Sequence, residues 1–149
     1  MADTKKAKPK FSTNIHHIFA TDKGLQEDGS WVVINELYDL AVKVRRMKST
    51  AVAKANEKII KEMFGEKRLR TPEDFSRDQA ETITKRLLVE AVIVDWRNVR
   101  DDVTGEEIPY SKEAAEAFVE IEDFRDFVFQ AANERDTFRA KHDEEAVKN

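Results

Sequence analysis

The sequence predicts an α+β fold, in which a small N-terminal antiparallel sheet of about three strands packs with a C-terminal bundle of about four helices. Two short runs with strand character, Trp31–Ile34 and Leu40–Val44, come early in the chain. From Ser49 onward apolar residues recur at helical spacing instead. The stretch from Leu87 to Trp96 holds only Glu90 and Asp95 as charges, in a chain that is 38% charged. At 149 residues the chain is long enough for one domain with a stable core. The domain is expected over residues 13–141, preceded by a basic disordered arm, 1–12, and followed by a frayed tail, 142–149.

In the arm, Lys5, Lys6, Lys8 and Lys10 surround Pro9 with almost nothing to bury. Phe11–Thr21 leans toward strand, with Ile15, His17 and Phe19 on one face and His16 and Ile18 on the other. Asp22-Lys23-Gly24 and Asp28-Gly29-Ser30 are turn signals. Trp31–Ile34 then reads as a buried strand. Leu40, Val42 and Val44 alternate with Ala41, Lys43 and Arg45, the period of a half-buried strand. Leu37, Leu40 and Val44 also fit a helix at i, i+3, i+7.

Ser49 caps a helix through Phe64, with Val52, Ile59, Ile60 and Met63 as its apolar side and Gly65 at its stop. Two starts compete for the next helix. Thr71-Pro72-Glu73-Asp74 offers a cap with proline at the first position, and Ser76 with Gln79 offers a capping box. A short turn at Pro72 followed by a long helix from Ser76 uses both. That helix is expected to run to about Trp96. At about 100° per residue, Ile83, Leu87, Ala91 and Val94 share one face, while Leu88, Val92, Ile93 and Trp96 populate the others. A helix apolar on most sides has to be wrapped by other elements, and this one is too short for a bilayer, which needs about 20 apolar residues.

Asp101, Asp102 and Gly105 break the pattern, and Pro109 disfavours helix at the residue before it. Ser111 caps a new helix with Glu113 in its first turn, turning Ala114, Ala115, Phe118 and Val119 inward. Asp123 caps the last helix. Along it Phe127, Val128, Ala131 and Phe138 lie within about 60° of Phe124, whereas Phe129 sits about 140° away from it. The expected structural core therefore centres on Leu87, Val94, Trp96, Tyr110, Phe124 and Phe127. Phe129 is either covered by the sheet or exposed for a partner.

Little in the chain points to reactive chemistry. Zero cysteines exclude disulfides, thiolate zinc sites and cysteine nucleophiles. Thirty acids against 26 bases, net −4, supply no global attraction to nucleic acid, and the lysine arm has no interleaved aromatic to stack on bases. The first residues carry no apolar h-region, so no signal peptide is expected. Adjacent His16 and His17 point apart on a strand and make a poor chelate. Lys67 lacks glycine-rich phosphate-loop spacing, and Gly105 lies in no G-x-S-x-G elbow. Asp101-Asp102 and Glu106-Glu107 flank a turn, where solvation is the default. Glu90 is the one acid on the apolar side of the long helix; buried carboxylates survive by pairing, and Arg45, Arg46 or Arg135 could serve. The expectation is no catalytic residue, no metal, no cofactor and no enzyme activity.

Asp95-Trp96, then Gly105 with Ile108-Pro109-Tyr110-Ser111, then Phe124 with Phe127 and Ala131-Ala132-Asn133 form an ordered set. It resembles the tail assembly chaperones of bacteriophages with long, non-contractile tails, the siphovirus type. The likeness runs from about Ile15 to Phe138. It departs locally, since such proteins often carry Asn near position 49 and an aromatic near 52, where this chain has Ser49 and Val52. The resemblance favours strand for Leu40–Val44. It implies a protein of the host cytoplasm, absent from the mature virion. Such a protein binds and solubilises the tape measure protein, helps recruit tail tube protein, and associates with itself along the tape. No membrane is implied as partner. The surface expected to serve is on the C-terminal helices, at Phe118, Phe129 and Arg125. The rival reading is a small structural tail or neck component that stays in the particle. A nucleic-acid-binding regulator, suggested by the lysine arm with Arg68 and Arg70, is disfavoured by the net acidity.

Overall fold

A computed structural model describes residues 13–65 and 75–140. The expected arm, the frayed tail and the Thr71–Asp74 helix start lie outside the described residues. Two short helices, α1 (Asn14–Phe19) and α2 (Lys23–Asp28), precede a hairpin of β1 (Ser30–Asn35) and β2 (Leu40–Val44). Then come α3 (Thr50–Phe64) and α4 (Arg77–Leu87), which passes into a π-helical segment, Leu88–Val92, and directly into β3 (Ile93–Arg97). Helices α5 (Lys112–Phe118) and α6 (Glu122–Asn133) and a 3₁₀ turn, Arg135–Phe138, complete the order. The architecture is α+β, with a three-stranded antiparallel sheet in the order β1-β2-β3.

Local signals explain most of the helix ends. Ser49 Oγ accepts from Val52 N–H at 3.4 Å, and Gly65 closes α3 with φ 76°, a conformation glycine adopts without penalty. Ser76 and Gln79 exchange side-chain-to-backbone bonds in a full capping box. Ser111 Oγ accepts from Ala114 N–H at 3.0 Å. At α6 the expected cap is corrected. The N-cap is Ile121 with no side-chain bond, and Asp123 stands inside the first turn beside Glu122, where negative charge still suits the helix dipole.

Two expectations fail at the level of the element. Phe11–Thr21 is not a strand: its described part holds α1, whose N-cap Thr13 and His16 form a reciprocal box, with Nδ1 of His16 accepting from Thr13 N–H at 3.3 Å. The long helix does not reach Trp96. It ends in the π-segment, and Ile93–Arg97 leaves as the third strand. Val42 pairs with Trp96, and Lys43 with Asp95. The run is buried on nearly every side, so the ladder offered by β2 outweighs continuation of the helix. Arg45 seals the junction. Its backbone N–H donates to Val92 O at 2.8 Å and its Nη1 to Ala91 O at 3.0 Å, occupying carbonyls that the ending helix leaves without partners.

The core lies between one face of the sheet and the helices. Val32, Val42 and Trp96 stand opposite one another across the three strands and so share that face. Val42, Val44, Leu88, Val92 and Ile93 join Ile59, Val119, Val128, Ala132 and Phe138 in one cluster. Each such aliphatic side chain contributes roughly 1.5–3 kcal/mol when fully buried. The opposite face carries Trp31, Lys43 and Asp95 in one row.

Candidate interaction surfaces

The residues expected to form a partner surface separate on the structure. Phe118 is half-buried, its ring 5.2 Å from that of Trp96 and 6.2 Å from that of Phe124. It therefore braces the core. Arg125 has a side chain only 12% exposed, donating from Nη1 to Val119 O at 2.6 Å and lying 3.7 Å from Glu81. It ties α6 to the end of α5 and to α4. Phe129 alone of the three is open, at 40% exposure. Ile121, the N-cap residue of α6, is 56% exposed.

Of the expected core, Leu87 and Trp96 are buried, and Tyr110, Phe124 and Phe127 are half-buried against the main cluster. Val94 is also half-buried, because it is the residue skipped where Lys43 pairs with Asp95 and Val44 with Ile93. Trp96 is held at both ends of its ring system. Nε1 donates to Ile108 O at 2.8 Å, and Tyr110 meets the indole edge-on with centroids 5.1 Å apart. The Tyr110 hydroxyl donates to Ile93 O at 3.2 Å. Loss of hydration around that hydroxyl, together with the nearby Asp95 charge, raises its pKa above the ordinary tyrosine range.

Glu90 is paired, but with different bases from those expected. Arg86 Nε lies 3.0 Å away, one helical turn earlier, and Lys58 Nζ on α3 lies 3.5 Å away. Arg45 is occupied by carbonyls, Arg46 bonds Thr21 and Gln26, and Arg135 sits over the Phe19 ring at 4.7 Å. Glu90 borders a surface cleft of about 390 Å³, lined also by Thr82, Lys85, Arg86, Val89, Glu116, Val119 and Glu120. Lys85 reaches Glu120 at 2.8 Å and Glu81 at 2.9 Å, and Arg86 also binds Glu62. Hydrogen bonds from these bases lower the pKa of Glu62 and Glu81, and the acids raise those of Lys85 and Arg86. Acids held ionised beside bases held protonated are mutual partners, not groups poised to exchange protons near neutrality. His16 is engaged with Thr13, and no cluster of metal-ligating side chains occurs among the described residues.

The apolar surface that sequence reasoning passed over is N-terminal. Ile15, Ile18 and Phe19 are 61%, 43% and 59% exposed along α1, at i, i+3, i+4 spacing. Val33, Leu37 and Tyr38 are 44%, 84% and 68% exposed on the β1–β2 hairpin. The α1 spacing was visible in the sequence as an alternative to strand. The hairpin's exposure depends on which strand lies at an edge, which no local pattern records.

A family model described as YdaY prophage protein matches residues 43–149. The chain belongs to the YdaY prophage protein family. The YdaY match starts at Lys43 within the central strand of the sheet and takes in α3 through α6, so α1, α2 and β1 lie outside it. Membership makes this a phage-derived protein. No curated protein and no solved structure matches the chain. No helix among the described residues is long and apolar enough to cross a membrane.

Proposed function

We propose that this phage-derived protein is a tail assembly chaperone that works by binding, without catalysis. It masks apolar stripes of the tape measure protein in the host cytoplasm, helps bring tail tube protein to the tape, and leaves before the virion matures. The observation that carries the reading is the two-sidedness of α6. Val128, Ala131 and Ala132 anchor the helix in the core, while Phe129 and the N-cap residue Ile121 are 40% and 56% exposed. Exposed apolar residues on a rigid helix are what a long amphipathic partner helix can pack against. Weak single contacts suffice when many copies bind one tape, because repeated engagement multiplies occupancy. Phe118, packed on Trp96 and Phe124, and Arg125, bonded to Val119 O, hold the C-terminal helices in place behind this surface's scaffold.

The test is co-expression with a tape measure protein from the same phage genome. Co-purification and a soluble tape are expected, and Phe129→Asp should return the tape to the insoluble fraction while the variant itself stays folded. If the tape is equally soluble with the variant, the α6 surface is wrong. Mass spectrometry of purified particles decides between this reading and a structural tail or neck component: a chaperone is absent or trace, a structural subunit appears at fixed stoichiometry.

A further inference from the structure

Among the described residues, no segment pairs with the outer edge of β1. Among the described residues, the backbone of Trp31–Asn35 makes no hydrogen bond outside its ladder with β2. The strand Ser30–Asn35 carries no charged side chain, although charges and bulges are how edges are ordinarily guarded. Its one irregularity lies late, where the pairing skips from Val33 to Asn35, and Ser30 at its start is buried, with Oγ donating to Thr137 O at 2.7 Å, so Trp31–Val33 presents a regular edge. Trp31 and Val33 alternate onto the outer face, Trp31 half-exposed and Val33 44% exposed.

We propose that β1 is a dimerisation edge, at which two copies of this chain pair β1 with β1 antiparallel about a two-fold axis through Val32. Symmetry sets the register. A two-fold axis perpendicular to a sheet keeps each side chain on its own face, so residues of equal parity must meet and the axis passes through one residue. Centring on Val32 keeps the pairing within the regular run. Trp31 then stands opposite Val33 of the second copy, twice, giving two aromatic–β-branched pairs on the outer face. No like charges meet within the ladder, since the strand holds none. A second copy therefore covers the exposed apolar side chains with one another and satisfies the free backbone groups. The ladder spans only about 20 Å and falls short of the roughly 1,600 Å² of a standard stable interface. The dimer is therefore concentration-dependent. This pairing does not depend on the chaperone reading.

The chain has no cysteine, so introduced thiols report alone. Trp31→Cys and Val33→Cys proteins, mixed at high concentration and mildly oxidised, should give several-fold more disulfide-linked dimer than either alone. Positions 31 and 33 are opposed across the axis, whereas like positions are diagonal, about 7–8 Å apart, beyond the roughly 4 Å Cβ–Cβ separation of a disulfide. In sedimentation, unmodified protein should shift from monomer toward dimer with concentration. Val33→Asp should remain monomeric with an unchanged far-ultraviolet circular dichroism spectrum. Equal cross-linking in all three samples, or none in the mixture, overturns the pairing. So does unmodified protein that stays monomeric throughout. An edge that becomes protected from hydrogen exchange only when the tape protein is added would also overturn it, in favour of an extended partner segment.

Discussion

The two outer strands of one small sheet end in opposite ways. At β3 the chain returns on itself: Tyr110 donates to Ile93 O, Trp96 Nε1 donates to Ile108 O, and Asp95 Oδ1 accepts from Trp96 N–H at 2.8 Å. Ile108 N–H donates to Val99 O at 2.7 Å and Arg100 bridges to Glu107, so the loop is stitched down. Asp95 and Arg97 place charge on the strand itself, with Arg97 Nη2 2.9 Å from Asp39. At β1 the chain turns immediately into β2 through Glu36–Asp39, and apart from Ser30 Oγ donating to Thr137 O at its start, no later segment bonds the strand among the described residues. The loop downstream of β3 is long enough to fold back over it, whereas the turn downstream of β1 leads only to the strand on its inner side.

The largest expected effect breaks the closed side. Trp96→Ala removes an indole that is 5% exposed and packed on Tyr110 and Phe118, and should cost about 3–5 kcal/mol in urea unfolding. A loss under about 1 kcal/mol would mean that the β3 side does not anchor the core. Tyr110→Phe comes next. It keeps the ring and deletes only the hydroxyl donor to Ile93 O, for about 1–2 kcal/mol.

The same hydroxyl gives the closed edge a pH dependence. Its folded pKa is raised by lost hydration and by Asp95, so the fold favours the protonated form. The stability this contributes is whole below the unfolded tyrosine value of about 10 and is lost as pH rises through the folded pKa. Alkaline denaturation should therefore begin at lower pH in the unaltered protein than in a Tyr110→Phe variant matched for starting stability. If the two curves superimpose, ionisation of Tyr110 is not what opens the edge. Strand β1, Ser30–Asn35, has no titratable side chain and adds nothing to that limb.

The contrast also shows which parts of the fold were legible in advance. Ser49, Ser76 and Ser111 could be read because a cap and the N–H it satisfies lie within three residues. Leu40–Val44 is the strand that its alternation predicts, although Ala41, expected on the open face, is fully buried. Leu88–Arg97 could not be read the same way. A run buried on all sides has no period, and only the β-branched cluster Val89, Val92, Ile93 and Val94 hinted at strand. Pairing with β2, some fifty residues away in sequence (Val42 with Trp96), made the choice. Phe129 was legible as an angle off a helical stripe. The inward contacts of Phe118 and Arg125 were not legible, because what they touch, Trp96 and the Val119 carbonyl, becomes adjacent only after folding.

The smallest expected effect is the sharpest check, because it exchanges the same residue type at the other edge. Trp31 lies half-exposed on the outer face, with the Arg97 guanidinium 4.8 Å from its ring centre and Lys43 Nζ 6.0 Å away. Exposed cation–π contacts contribute about 0.5–1 kcal/mol. No cavity opens in the core when a side chain on the solvent face is cut back. Trp31→Ala should therefore cost about 1 kcal/mol or less in dilute protein, against several for Trp96→Ala on the closed side. The dilution matters. If β1 pairs with a second copy, the cost should grow as concentration rises, because the indole then packs on Val33 of that copy. A cost that stays small at every concentration would leave the two edges different in construction but equal in having no partner.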